Sequence, residues 1–134
     1  MQKDFQLRGI VDDVPETRDQ MLAFIRESCH TTTQDYNLLI VIQEALANAV
    51  VHGCGNNPSQ TVHCHIECND SAIAITVRDP GPGFDVDSLP DPTSIENLAE
   101  EHGRGIFMLR SLMDEVRFEE GGRLLQMRKL RRPA

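Results

Sequence analysis

A chain of 134 residues, 40% of them hydrophobic, has the material for one core and too little for a second. Thirteen Lys and Arg against 21 Asp and Glu leave a net charge of -8, which disfavours direct contact with nucleic acid or an anionic lipid surface. No apolar run reaches the roughly 18 residues that cross a bilayer, which argues against membrane insertion. Four cysteines, Cys29, Cys54, Cys64 and Cys68, sit in a chain too large to need staples and without an apolar leader, so the composition predicts a cytoplasmic protein with reduced thiols.

In chain order, Phe5, Leu7, Gly9 and Val11 alternate imperfectly with Gln6, Arg8 and Ile10, which predicts a short first strand closed by the acidic turn at Asp12 and Asp13. Pro15 suits the first turn of a helix, with Glu16 beside its positive end. Thr17, Met21, Phe24, Ile25 and Cys29 recur at three- and four-residue steps, so an amphipathic helix runs to about His30. Thr33 or Asp35 can cap a second helix, in which Leu39, Ile40, Gln43, Ala47 and Val50 lie on overlapping faces and Gly53 is the stop. A helix so apolar must lie against a sheet.

From Thr61 to Cys68, Val62, Cys64, Ile66 and Cys68 take one face and His63, His65 and Glu67 the other, the pattern of a half-buried strand. Because those histidines and cysteines face opposite sides, they cannot share one zinc tetrahedron. After a turn at Asn69 to Ser71, Ile73, Ile75 and Val77 restart the alternation and complete a hairpin ending at Arg78 and Asp79. Between Pro80 and Gly105 the pattern breaks into a long loop, with one short helix expected around Ile95 to Glu100. A helix is predicted from Ile106, then a strand carrying Val116 and Phe118, a turn at Gly121 and Gly122, and a last strand from Leu124. This order predicts one α+β domain over residues 1–134: a two-layer sandwich in which a mixed, mostly antiparallel sheet carries helices on one face.

Three short motifs carry the chemistry. Glu44, Asn48 and His52 are spaced by four and form a polar stripe on the otherwise apolar second helix. Buried polar groups cost several kcal/mol each unless paired, either by a hydrated Mg²⁺ or by hydrogen bonds to a neighbouring loop. Asp79-Pro-Gly81-Pro-Gly83 follows a strand directly, and its glycines allow close backbone approach to a ligand, although ordinary turns use the same residues. A carboxylate at that strand end can accept a hydrogen bond from an exocyclic amine such as that of adenine. Gly103, Arg104 and Gly105 precede the helix at Ile106, a position that suits either a phosphate or a hinge.

Together and in this order, the motifs resemble the N box and two glycine boxes of the GHKL (Bergerat-fold) ATPase superfamily. The similarity is closest to the anti-sigma-factor serine/threonine kinases of the RsbW and SpoIIAB type, and it covers nearly the whole chain, including Ser111 to Val116. The resemblance implies ATP and Mg²⁺ as cofactors, Glu44 as general base, Asn48 as metal ligand and Asp79 as adenine reader. It implies phosphate and hinge roles for Gly81, Gly83, Gly103, Arg104, Gly105 and Ile106, with a lid over about residues 84–102. It also implies a sigma factor and a STAS-domain anti-anti-sigma factor as partners, and a homodimer. The segment 84–102 is acidic, with Asp85, Asp87, Asp91, Glu96, Glu100 and Glu101, so a second expectation is a module that senses ATP without transferring phosphate.

Overall fold

The computed structural model describes residues 1–29, 35–81 and 101–131. Five strands, β1 (Gln2–Arg8), β2 (Thr61–Cys68), β3 (Ala72–Arg78), β4 (Glu115–Glu119) and β5 (Leu124–Leu130), form one sheet in the order β1-β2-β3-β5-β4. All four pairings are antiparallel, the limiting case of the mostly antiparallel sheet expected. The helices are α1 (Val14–Cys29), α2 (Asp35–Asn48) and α3 (Glu101–Leu112).

Each strand is half-buried for the reason the alternation gave. In β2, Val62, Cys64, Ile66 and Cys68 are buried, while His63 and Glu67 are exposed. The register aligns core-facing residues into rows across the sheet: Phe5, Cys64, Val77, Leu125 and the half-buried Phe118 form one, and Ile66, Ile75, Met127 and the half-buried Val116 lie in the next. These rows meet the apolar faces of α1 (Met21, Leu22 and Ile25) and α2 (Leu38, Val41, Ile42 and Leu46) in a single core cluster. The two helices are also tied laterally, since Arg18 Nη1 donates to Gln43 Oε1 at 2.8 Å. The opposite face of the sheet is polar, with Asp4 Oδ1 2.6 Å from His65 Nδ1 and Arg78 paired to Glu120 at 2.5 Å.

Three differences from the sequence reading are physical. The first strand ends at Arg8, and Val11–Asp13 is a tight 3₁₀ turn because the Asp13 carboxylate takes the Arg8 backbone N–H and guanidinium. Helix α3 begins at Glu101, five residues before Ile106, so Gly103, Arg104 and Gly105 lie in its first turns and residues 101 and 102 are helical. The rest of the expected lid, the expected helix at 95–100 and Gly83 lie outside the described residues.

The thiol expectation is corrected at two of four cysteines. The last residue of α1, Cys29, sits over the last residue of β2, Cys68, with Cα atoms 5.9 Å apart, and the two form a disulfide. Their separation of 39 residues hides this proximity in the sequence. Arg131, just past β5, reinforces the junction by donating to the Cys29 and Asn69 carbonyls. Cys54 and Cys64 stay free and buried, and burial pushes the Cys64 thiol up to about 12.

Candidate functional site

Helix α2 does not end as a plain α-helix. Ala49–Gly53 winds as a π turn, closed by hydrogen bonds from Cys54 N to Ala49 O at 2.9 Å and from Asn56 N to Val50 O at 3.1 Å. The wider turn sets the Gly53 backbone directly against the end of β3, and such turns recur at functional sites. Contact there is so close that a β-carbon on Gly53 would stand 2.3 Å from Asp79 Cγ, and one on Gly81 would stand 2.1 Å from Gly53 O. Only residues without side chains permit this junction. The end of the first motif and the start of the second are therefore interlocked.

A second junction joins the first motif to the third. A β-carbon on Gly105 would lie 2.1 Å from Glu44 Oε1 and 3.2 Å from Asn48 Nδ2. Glu44 and Asn48 are half-buried on α2, and α3 packs against that helix. Ile106 anchors this contact from the core side, at 3% exposure. Arg104 and Gly103 lie one and two residues further toward the start of α3, where the first N–H groups of a helix lack partners within it. The Arg104 side chain lies outside the described residues.

Between these junctions lies a pocket of about 240 Å³. Ala45, Asn48, Ala49, His52 and Gly53 form its helical wall, and Val77 and Asp79 come from β3. A third wall comes from the β4–β5 hairpin through Phe118, Gly122, Arg123 and Leu125. No motif marked these hairpin residues, and the strand order explains why. The last hairpin pairs to β3 through β5, so residues about forty positions after Asp79 return to its side. The only trace in sequence is the apolar alternation of Val116 and Phe118.

Asp79 is the acid that lines the pocket. Its backbone N–H donates to Arg123 O at 3.0 Å, and its Oδ1 accepts from Gly81 N at 2.9 Å. Burial pushes its pKa above the ordinary carboxylate range, partly offset by the Gly81 hydrogen bond and the Arg123 charge. A carboxylate is thus held in a slot of mixed character, lined also by the polar Asn48, His52 and Arg123 and by the apolar Ala45, Ala49, Val77, Phe118 and Leu125.

Of the residues picked from sequence, Glu44, Asn48, Asp79, Gly81, Gly105 and Ile106 are brought together. His52 lines the same pocket on the exposed end of the π turn. His63 and His65 lie on the far face of the sheet from Cys64 and Cys68, as the alternation required.

Residues 10–129 match the histidine kinase-like ATPase domain. The anti-sigma F factor of Geobacillus stearothermophilus is 31% identical over 101 residues, covering 74% of this chain and 69% of that protein. That of Heyndrickxia coagulans is 28% identical over 135 residues, 96% of this chain and 90% of that protein. The anti-sigma F factor of Oceanobacillus iheyensis is 32% identical over 102 residues, 74% of this chain and 69% of that protein. The matched span holds both glycine junctions and the pocket between them, and the chain belongs to the histidine kinase-like ATPase domain family.

Proposed function

We propose that this chain binds Mg²⁺-ATP between α2, β3 and α3 and acts as an anti-sigma factor with serine/threonine kinase activity toward a STAS-domain anti-anti-sigma partner. The observation that carries the proposal is the pair of glycine junctions, which brings the first motif against the second at Gly53 and Asp79 and against the third at Glu44 and Gly105. The anti-sigma part rests on the relatives, which are anti-sigma F factors. A cytoplasmic homodimer without nucleic-acid contact is part of the same reading, as is one ATP-binding domain over the whole chain.

The residues fit the ligand. Oxygen donors on Glu44 and Asn48 suit Mg²⁺, a hard cation that keeps several waters. Asp79 suits an exocyclic amine, and phosphate and hinge roles for Gly81, Gly83, Gly103 and Gly105 around the segment 84–102 belong to the same reading. Arg104 offers positive charge at the start of α3, and Ile106 fixes that helix against the core. Bound ATP would supply the phosphoryl group and Mg²⁺ the charge that screens it. The protein's own tasks are to hold the acceptor in line and to receive its proton. Glu44 does the latter, taking the proton of the serine hydroxyl as general base, a role worth about 10² to 10⁴ in rate.

The test is label transfer from Mg²⁺-ATP to a purified STAS-domain partner, followed by mass spectrometry. The parent chain is expected to add one phosphate per acceptor, and Glu44→Gln to slow transfer at least about 100-fold while retaining ATP binding. Six acids and no Lys or Arg between residues 84 and 102 favour one other reading, an ATP-sensing module that moves no phosphate. Tight ATP binding without phosphate on the partner selects that reading over the kinase.

A further inference from the structure

The base end of the pocket has a shape that no motif describes. Within its helical wall, Ala45, Ala49 and Gly53 present nothing larger than a methyl group beside the polar Asn48 and His52. Opposite lies one register row of the sheet, Val77 on β3, Leu125 on β5 and Phe118 on β4. Val77 and Leu125 are buried at 3% and 7%, whereas Phe118, on the edge strand that closes the row, is only half-buried while packed on the core. The pocket thus sets an apolar strip of small helical residues opposite an apolar sheet row, with Asp79, Asn48, His52 and Arg123 as its polar groups. The hairpin that carries Phe118 is fixed relative to Asp79, because the Asp79 N–H donates to Arg123 O and Arg78 pairs with Glu120.

Resting on the ATP reading above, we propose that Phe118 contacts the nucleobase, forming the aromatic wall against which the purine is held while its amine faces Asp79. A planar heteroaromatic ring is the ligand class that fits between methyl-sized groups and an aromatic ring, and aromatic side chains add a specific attraction to such rings beyond buried area. On the same reading the phosphates lie toward the Glu44–Gly105 junction, which does not include Phe118, so Phe118 would act on the base alone.

The experiment separates base from phosphate. The sequence contains no Trp, so Phe118→Trp installs a single reporter. Its emission is expected to change on adding Mg²⁺-ATP and to stay unchanged on adding Mg²⁺-tripolyphosphate, which carries the phosphates without the base. In parallel, Phe118→Ala should weaken ATP binding on the order of 10-fold by calorimetry, the usual loss for an aromatic–base contact, and leave tripolyphosphate binding within about twofold. Phe118→Leu, which keeps apolar bulk and therefore the fold, should fall between the parent and Phe118→Ala. ATP affinity unchanged in Phe118→Leu and Phe118→Ala, or lost in the same ratio as tripolyphosphate affinity, overturns the proposal and returns Phe118 to the core. Failure of the parent chain itself to bind ATP overturns the nucleotide reading, and this inference with it.

Discussion

Asp79 carries two opposed demands. Burial raises its pKa, so in the window between its ordinary and its raised value the folded chain binds more protons than the unfolded one. Stability contributed by this group is therefore present at low pH and falls as pH rises through that window, leaving a standing cost at neutral pH. Replacing it by Asn removes the charge but keeps an oxygen for the Gly81 N–H. Asp79→Asn is expected to melt at or above the parent at neutral pH, yet to lose most of its ATP affinity. ATP binding by the parent should weaken as pH falls through the raised value, earlier than for an ordinary carboxylate, while Asp79→Asn shows no such limb. Melting curves and calorimetry across mildly acidic pH check both; a variant that melts well below the parent counts against a burial cost at this site. At Gly53 and Gly105 the constraint is steric: an added methyl would overlap Asp79 or Glu44, so these positions connect motifs that are distant in sequence.

Among the elements, α1 and β2 are joined covalently, and the physics of that joint is separable from the pocket. The Cys29–Cys68 bridge closes a loop of 39 residues, and the chain-entropy cost it removes from the unfolded state is about 4 kcal/mol. Reduction, or Cys68→Ser, is expected to lower unfolding free energy by about that amount, read as a shift of the urea midpoint, while the parent under non-reducing denaturation shows two titratable thiols. Four titratable thiols and no midpoint shift would mean the bridge does not form in solution. The π turn at the end of α2 is the other decisive element. A continuous α-helix would carry the Glu44, Asn48, His52 spacing onward but would not bring Gly53 against Asp79 by the same path.

For the whole molecule, the two-layer arrangement puts a binding site at the seam between α2 and the sheet, so a ligand there contacts both layers and is bound only by the folded chain. Mass action then applies: ATP at 100 times its dissociation constant should add about 2.7 kcal/mol of stability. For a chain of 134 residues that corresponds to a melting shift on the order of 10 °C, measurable by scanning calorimetry with Mg²⁺-ATP against Mg²⁺ alone. No shift at saturating nucleotide would remove the site from consideration. Core truncation far from the pocket is a different matter, since residues such as Ile75 and Leu46, fully buried, serve both layers at once.

By itself the sequence determined the faces and the motifs. The alternation in β2 and β3 and the apolar stripe of α2 follow from side-chain period, a local property, and so do the polar positions Glu44 and Asn48 that interrupt it. The boundaries of α3 escaped because glycines in a helix's first turn read locally as loop, although packing on α2 holds them helical. The Cys29–Cys68 bridge, the π turn and the hairpin wall of Phe118, Gly122 and Arg123 were decided only by tertiary structure. Each depends on strand order, which sets β5 between β3 and β4, or on where an element ends in space, and neither leaves a period in the chain.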